Sequence, residues 1–106
     1  MIRLKTGPTG CRAVGMKPEL CLGLLIAAGV YTNTNIDLMV TAITDSVHSP
    51  GSLHYVGYAA DLGLPPADKI QIVVARLKEA LGDEWDVLYE INHIHIEFQP
   101  KKALNT

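Results

Sequence analysis

The chain has 106 residues, a length at which one domain normally closes around one hydrophobic core. Hydrophobic residues make up 48% of it and charged residues 19%, a composition that argues against a disordered chain. The net charge of −2 and the scattered Lys and Arg residues argue against a nucleic-acid partner. Two cysteines, Cys11 and Cys21, are too few for a disulfide-stapled framework and are expected to be small buried or half-buried residues.

The start of the chain lacks the layout of a secretory signal peptide, because no apolar segment directly follows its basic residues. The longest apolar stretch, residues 21–31, is shorter than the roughly 20 residues that a membrane-spanning helix needs. We therefore expect a protein that is made in the cytoplasm and is not inserted into a membrane.

The first half of the chain is predicted to contain an arm, a helix and two strands. Residues 1–16 hold several glycines and a proline, and are predicted to be a loop or arm. Pro18 suits the first turn of a helix, and the apolar run after it predicts a buried helix over residues 18–30. Apolar and β-branched residues then predict strands over 38–44 and 58–62.

The second half is predicted to contain a helix and a hairpin. A helical apolar pattern follows the proline pair at Pro65 and ends at Gly82, a natural stop. Strands over 85–90 and 93–98 are predicted to form the hairpin, and residues 101–106 a loose tail. The whole chain is thus predicted to be a single α+β domain, with two main helices against a small, mostly antiparallel sheet.

Three potential metal ligands alternate along the last predicted strand. Since the side chains of a strand alternate between its faces, His93, His95 and Glu97 share one face. Ile94 and Ile96 point to the other face, which is expected to be the core side. Two imidazoles and a carboxylate on one face suit a metal site, but an ordinary solvent-exposed strand face can carry the same residues.

An earlier segment offers two further ligands, His54 and Asp61, which lie seven positions apart (61 − 54). Gly57, Ala59 and Ala60 between them are small enough to let backbone or substrate come close. A catalytic zinc site takes three protein ligands and leaves one position for water, so two histidines and one aspartate would satisfy it. In the alternative interpretation, His54 is a loop histidine and Asp61 ends a strand.

Together the two segments resemble the zinc D-Ala-D-Ala metallopeptidases. The first matches the pattern S-x-H-x-x-G-x-A-x-D at every defining position, with Ser52, His54, Gly57, Ala59 and Asp61. The second resembles the family's H-x-H motif on a late strand, with His93 and His95. The family includes D,D-carboxypeptidases, dipeptidases, the L-alanyl-D-glutamate endopeptidases of bacteriophage lysins and the hedgehog-like fold. A short single-domain chain is most similar to the phage type.

The resemblance implies a Zn²⁺ site held by His54, Asp61 and His95, within a hedgehog-like or D,D-peptidase-like sheet. It implies hydrolysis of a peptide bond in the peptidoglycan stem peptide, with zinc polarising the carbonyl and activating water. Ser52 would orient a ligand by a hydrogen bond. His48 would contribute in place of the upstream Arg that the family often has, or be a loop histidine. The missing Arg favours an endopeptidase over a carboxypeptidase, which must bind a terminal carboxylate, but both remain open.

The general base is the point at which this chain departs from the family. Many members have an acidic residue three places before the last ligand, where this chain has Asn92. An amide cannot act as a base, so Asn92 would support the site or contact substrate. We interpret Glu90 as the base and His93 as the residue that stabilises the oxyanion. The departure leaves two alternatives open: a zinc-binding cell-wall or phage module without catalysis, and a phage structural protein without a metal.

Overall fold

The computed structural model describes residues 2–5, 17–43 and 59–99, which form an α+β arrangement of five strands and two helices. A short 3₁₀ turn, Ala67–Lys69, precedes the second helix. The elements in chain order are β1 (Ile2–Leu4), α1 (Pro18–Asn33), β2 (Leu38–Ala42), β3 (Ala59–Gly63), α2 (Ile70–Leu81), β4 (Trp85–Tyr89) and β5 (His93–Phe98). The predicted order of helix, strand, strand, helix and hairpin is confirmed.

The strands form one mixed sheet in the order β1-β2-β3-β5-β4. β1 runs parallel to β2, and the other neighbouring pairs are antiparallel. The prediction that residues 1–16 are only a loop or arm is therefore wrong for Ile2–Leu4, whereas residues 6–16 lie outside the described part. Ile2 pairs with Leu38 and packs against the core. Three residues are too few for an alternating pattern to stand out in the sequence.

The core lies between the two helices and one face of the sheet. On α2 the predicted helical apolar pattern is confirmed as a buried stripe. Gly82 ends the helix with a positive φ of 89°. From β5, Ile94 and Ile96 point into the core as predicted, while Phe98 is half-buried against the ring of Trp85. The largest fully buried side chains are Tyr31, Leu20, Leu38, Ile43, Leu62, Leu77, Ile94, Ile96, Val40 and Val73.

Helix α1 is longer and less buried than predicted, since it continues to Asn33 and buries only one stripe. Leu22 and Leu25 are 60% and 63% exposed. Cys21 is also exposed, so the expectation of a buried or half-buried cysteine is wrong there, and Cys11 lies outside the described residues. The prediction of a buried helix is wrong for the exposed face, because an unbroken apolar run has no periodicity that distinguishes one face from the other. Neither described helix combines the length and hydrophobicity needed to cross a bilayer.

A hydrogen bond from α1 fixes the end of β3. The hydroxyl of Tyr31 donates to the carbonyl oxygen of Gly63 at 2.8 Å. Burial raises the pKa of Tyr31, so the phenol keeps its proton and remains a donor. The helix layer is thereby tied to the strand that carries Asp61.

Gly23 allows the ring of Trp85 to lie against α1. A β-carbon at Gly23 would be 2.7 Å from Trp85 Cζ2, whereas a β-carbon at Gly29 would have nothing within 4 Å. Alanine normally stabilises a helix interior over glycine by about 0.5–1 kcal/mol. We expect Gly29→Ala to raise the free energy of unfolding by about that amount. Gly23→Ala should lower it by about 1–3 kcal/mol, because the Trp85 ring must move.

Urea unfolding followed by the fluorescence of Trp85, the only tryptophan, measures both changes. A similar stabilisation by both substitutions would contradict the packing of Trp85 on Gly23.

Candidate metal centre

The pairing of β3 with β5 brings the two ligand-bearing segments together. In this antiparallel register Asp61 lies opposite His95, and Gly63 lies opposite His93. Residues directly opposite in an antiparallel pair project to the same face of the sheet. Because Ile94 is buried in the core, the Asp61 and His95 side chains project from the face away from the helices.

Asp61 Oδ1 is the point on which both histidines converge. It lies 2.9 Å from His95 Nδ1 and 3.5 Å from His93 Nε2. One possible ligand atom from each of the three residues lies within 4.8 Å of the other two. The side chains are partly shielded, with exposures of 15% for Asp61, 27% for His93 and 13% for His95. Ligand atoms about 2.0–2.2 Å from one ion are this close together, so the triad fits a single metal ion.

Glu97 contacts His95 from the other side of the imidazole. Glu97 Oε1 accepts a hydrogen bond from His95 Nε2 at 2.8 Å. The side-chain amide of Gln99 donates to Glu97 Oε2, and the Gln99 backbone N–H donates to the carbonyl of Glu84 at 2.6 Å. His95 therefore lies between two carboxylates, and the prediction that Glu97 shares its face is confirmed.

The two carboxylates control the charge of His95. Burial lowers the pKa of His95, but hydrogen bonds to Asp61 and Glu97 and the attraction of their charges together outweigh burial. The pKa therefore lies above its ordinary value of 6.5. Without a metal, the site favours an imidazolium whose two N–H groups each donate to a carboxylate. A metal ion would have to displace the proton from the nitrogen that it binds.

Asn92 and Glu90 lie at the turn between β4 and β5. Asn92 Oδ1 is 2.6 Å from His93 Nδ1, so the amide holds the imidazole of the neighbouring residue. The backbone N–H of Glu90 donates to the carbonyl of His93 at 2.9 Å, which makes the two residues opposite partners. Glu90 consequently shares the face of His93, and it is exposed to solvent.

The predicted site residues fall into two groups. Asp61, His93 and His95 are brought together. His48, Ser52 and His54 lie outside the described residues. The sequence predicts His54 as the third ligand and His93 as the residue that stabilises the oxyanion. The geometry also allows His93 as a ligand.

Two supporting residues were missed by the sequence analysis. Gln99 holds Glu97, and the hydroxyl of Thr41 donates to the backbone carbonyl of Asp61 at 3.3 Å. Gln99 continues the alternation of His95 and Glu97 along one face, a signal that could have indicated it. Thr41 had no such signal, because its contact depends on the pairing of β2 with β3.

No model of a known protein family matches the chain, and a comparison with curated proteins also finds no match.

We expect the stability of the metal-free protein to depend on the protonation of His95. Since the pKa of His95 is higher in the folded state than in the unfolded chain, its protonation stabilises the fold fully below the unfolded value of about 6.5. This contribution is lost as the pH rises through the higher folded pKa. Urea unfolding in the presence of a chelator should show a steeper fall in stability above pH 6.5 for wild type than for His95→Gln. An equal dependence of stability on pH in the two proteins would contradict this role of His95.

We expect the triad to bind one divalent ion. Asp61→Ala and His95→Ala each remove a ligand and should weaken Zn²⁺ binding by more than the roughly 10–100-fold loss that follows changes to outer hydrogen-bond partners. Asp37→Ala is the matched control, because Asp37 is an exposed aspartate paired with Arg3. Metal analysis after dialysis measures the stoichiometry. Full retention of zinc by the Asp61 and His95 variants would place the ion elsewhere.

Proposed function

We propose that the protein is a zinc-dependent peptidase that cleaves a peptide bond in the stem peptide of peptidoglycan. The supporting observation is that Asp61 and His95, 34 residues apart in the chain, are register partners whose side chains contact each other at 2.9 Å. Asp61 ends the first motif that resembles the zinc D-Ala-D-Ala metallopeptidases, and His95 ends the second. A chance resemblance in two separate segments would not require those two residues to be adjacent.

The proposed fold is of the hedgehog or D,D-peptidase type, with helices on one face of the sheet and the ligands on the other. The proposed metal is Zn²⁺, because imidazole and carboxylate donors in a partly shielded site suit it. When bound, Zn²⁺ supplies Lewis-acid polarisation of the scissile carbonyl and lowers the pKa of the attacking water. The proposed ligands are His54, Asp61 and His95, with Ser52 and His48 beside them.

Glu90 is the proposed general base. A Glu90 carboxylate oxygen takes a proton from the attacking water and passes it to the nitrogen of the leaving amine. Glu90 suits this role because it lies opposite His93, on the face of the ligands, and reaches solvent. An exposed carboxylate on the face of the ligands can exchange protons with both water and substrate.

His93 is proposed to stabilise the developing oxyanion. Asn92 Oδ1 contacts Nδ1 of the ring, and the other nitrogen, Nε2, is directed toward Asp61. A proton on Nε2 can donate to a carbonyl oxygen that gains negative charge during attack. His93 is the most exposed of the three triad residues, which suits contact with substrate.

The hydrogen bond between Asn92 and His93 also favours a second candidate, a zinc-binding cell-wall or phage module without catalysis. Asn92 occupies the place at which many members of the resembled family have an acidic residue. Its amide holds His93 but cannot accept a proton from water. In this candidate Glu90 is an ordinary exposed glutamate of the turn.

The proposed site of action is the bacterial cell wall, on which the protein would act as a bacteriophage lysin. The proposed partner is the stem peptide, and neither nucleic acid nor membrane insertion has a part. Cleavage of the L-alanyl-D-glutamate bond is preferred over D,D-carboxypeptidase activity. An exopeptidase needs a cation for the terminal carboxylate, and the segment from Thr41 to His48 contains no Arg.

The first experiment is digestion of purified peptidoglycan by the zinc-loaded protein, with the new termini identified. New L-alanine carboxyl and D-glutamate amino ends indicate an endopeptidase, whereas free D-alanine indicates a carboxypeptidase. His54→Ala and His95→Ala should abolish either product.

Glu90→Gln separates the two candidates. If Glu90 is the base, the substitution should lower turnover by about 10²–10⁴-fold and leave zinc content unchanged. Glu79→Gln, at an exposed position on α2, is the matched control and should keep full activity. A folded, zinc-bound wild-type protein that cleaves nothing would support the module without catalysis.

A further inference from the structure

The triad face is the side of the sheet that carries Asp61, His93 and His95, and it extends to the β1 edge of the sheet. Met39 belongs to this face, because a β-carbon at Gly63, the partner of His93, would lie 3.3 Å from Met39 Cβ. Arg3 is the register partner of Met39 in the β1–β2 pair, and register partners project to the same face. Arg3 therefore projects from the face on which the metal centre lies.

The basic character of this edge is shared by Lys5. Its backbone N–H donates to the carbonyl of Val40 at 2.9 Å, which continues the β1–β2 pairing, and alternation places it on the face of Arg3. Arg3 Nη2 is 3.0 Å from Asp37 Oδ2, with side chains that are 56% and 53% exposed. An exposed ion pair is weak, and a guanidinium has five N–H donors. Arg3 can therefore donate to a second carboxylate.

The opposite edge of the triad face is acidic. The edge strand there is β4, whose Asp86 and Leu88 are register partners of Glu97 and His95. Glu90, opposite His93, projects from the same face, and the segment Trp85–Tyr89 contains no Lys or Arg. Leu88 is 52% exposed although it lies directly beside His95. The metal centre thus lies between a basic edge at β1 and an acidic edge at β4.

The bond that the proposed function cleaves is asymmetric in the same sense. A D-glutamate residue has two carboxyl groups, and only one of them can be joined to the next residue of the stem peptide. The leaving-group side therefore keeps a free carboxylate close to its amine, whereas the L-alanine side presents only a methyl group. Negative charges at the β4 edge repel such a carboxylate, and the cations at the β1 edge attract it.

The spacing of the strands permits this contact. Two strand spacings, about 10 Å, separate β1 from β3, which carries Asp61. The long side chain of Arg3 and a glutamate side chain can together span that gap. On the other side of the metal centre, Leu88 offers an apolar surface to the alanine methyl group.

We propose that Arg3, with Lys5 beside it, binds the free carboxylate of the D-glutamate residue and so fixes the direction of the stem peptide across the metal centre. The leaving-group side then lies toward β1, and the alanine side chain packs on Leu88 toward β4. Arginine suits this role because its planar fork donates two hydrogen bonds to one carboxylate. The inference rests on the proposed function, because it takes the stem peptide as the substrate.

The test is a cycle of two peptides and two proteins. One synthetic stem peptide has its D-glutamate carboxylate free, and the other has that carboxylate converted to an amide. Calorimetry measures the affinity of each peptide for zinc-loaded Glu90→Gln protein, which does not consume it, with and without Arg3→Gln. Arg3→Gln should weaken binding of the carboxylate peptide by about fivefold, the upper value for an exposed ion pair. Binding of the amide peptide should change by less than about twofold, since no charge remains to couple with Arg3.

Four further variants in the same background separate this role from a general loss of stability. Asp37→Asn should strengthen binding of the carboxylate peptide, because it releases the guanidinium of Arg3. Arg3→Lys keeps the charge without the planar fork and should lie between Arg3→Gln and the parent protein. Leu88→Ala should weaken both peptides alike, by about fourfold, the value of one buried methylene group. Arg76→Gln, at an exposed position on α2, is the matched control and should equal the parent protein.

Equal weakening of both peptides by Arg3→Gln, or weakening of neither, would overturn the role of Arg3 and leave the proposed peptidase untouched. A loss confined to a third peptide, which ends in D-alanyl-D-alanine, would overturn the assignment to D-glutamate in favour of a terminal carboxylate. The expected pattern in a protein that cleaves no peptidoglycan would support the role of Arg3 and count against the peptidase. A wild-type protein that neither binds nor cleaves any of the three peptides would overturn both.

Discussion

The pairing register of β3 with β5 is the constraint on which the rest of this site depends. It places Asp61 opposite His95, so residues far apart in the chain become neighbours on one face of the sheet. A shift of one residue would turn Asp61 into the core and bring Leu62 to the ligand face. The burial of Leu62, Ile94 and Ile96 opposes that shift, because each of them is fully shielded from solvent. The burial of these core residues therefore helps to fix the positions of Asp61 and His95 on the other face of the sheet.

The electrostatic design of the site follows from the same register. His95 lies between Asp61 and Glu97, and the attraction of the two carboxylates exceeds the effect of its burial. Placing negative charges close together in a partly shielded site is unfavourable unless a cation joins them. An imidazolium can serve as that cation, and so can a metal ion. A metal ion that displaced a proton from His95 would thus replace positive charge that the carboxylates already attract.

Much of the fold could be predicted from the sequence, because the relevant patterns are local. The alternation at 93–98 predicted which residues of β5 face the core, and the apolar stripe predicted the buried side of α2. The mostly antiparallel sheet also followed from the element order. Predictions were wrong where the local pattern was weak: Ile2–Leu4 is a strand, and α1 exposes Cys21, Leu22 and Leu25. Both errors depend on tertiary packing, which no short window of sequence contains.

The site was predictable only in part, because it also depends on tertiary contacts. Asp61, His93 and His95 could be named as chemically suited residues, but their mutual distances depend on strand pairing. The hydrogen bond that the Asn92 amide oxygen accepts from His93 Nδ1 could not be predicted, since it depends on the conformation of the β4–β5 turn. In the sequence, Asn92 is notable chiefly because it stands where an acidic residue is expected. The structure places its amide against a histidine of the triad.

The parallel strand β1 has a consequence for the behaviour of the chain among other chains. It pairs along the outer edge of β2, whose inward residues Leu38, Val40 and Ala42 are apolar. Without β1, this edge of β2 would offer unpaired backbone groups to extended segments of other chains, and such edges promote aggregation. β1 is itself short and carries Arg3, with Lys5 immediately after it, and such charges discourage a further strand from adding. Residues 2–5 therefore cover the edge of β2 and place two basic side chains at the β1 edge of the described sheet.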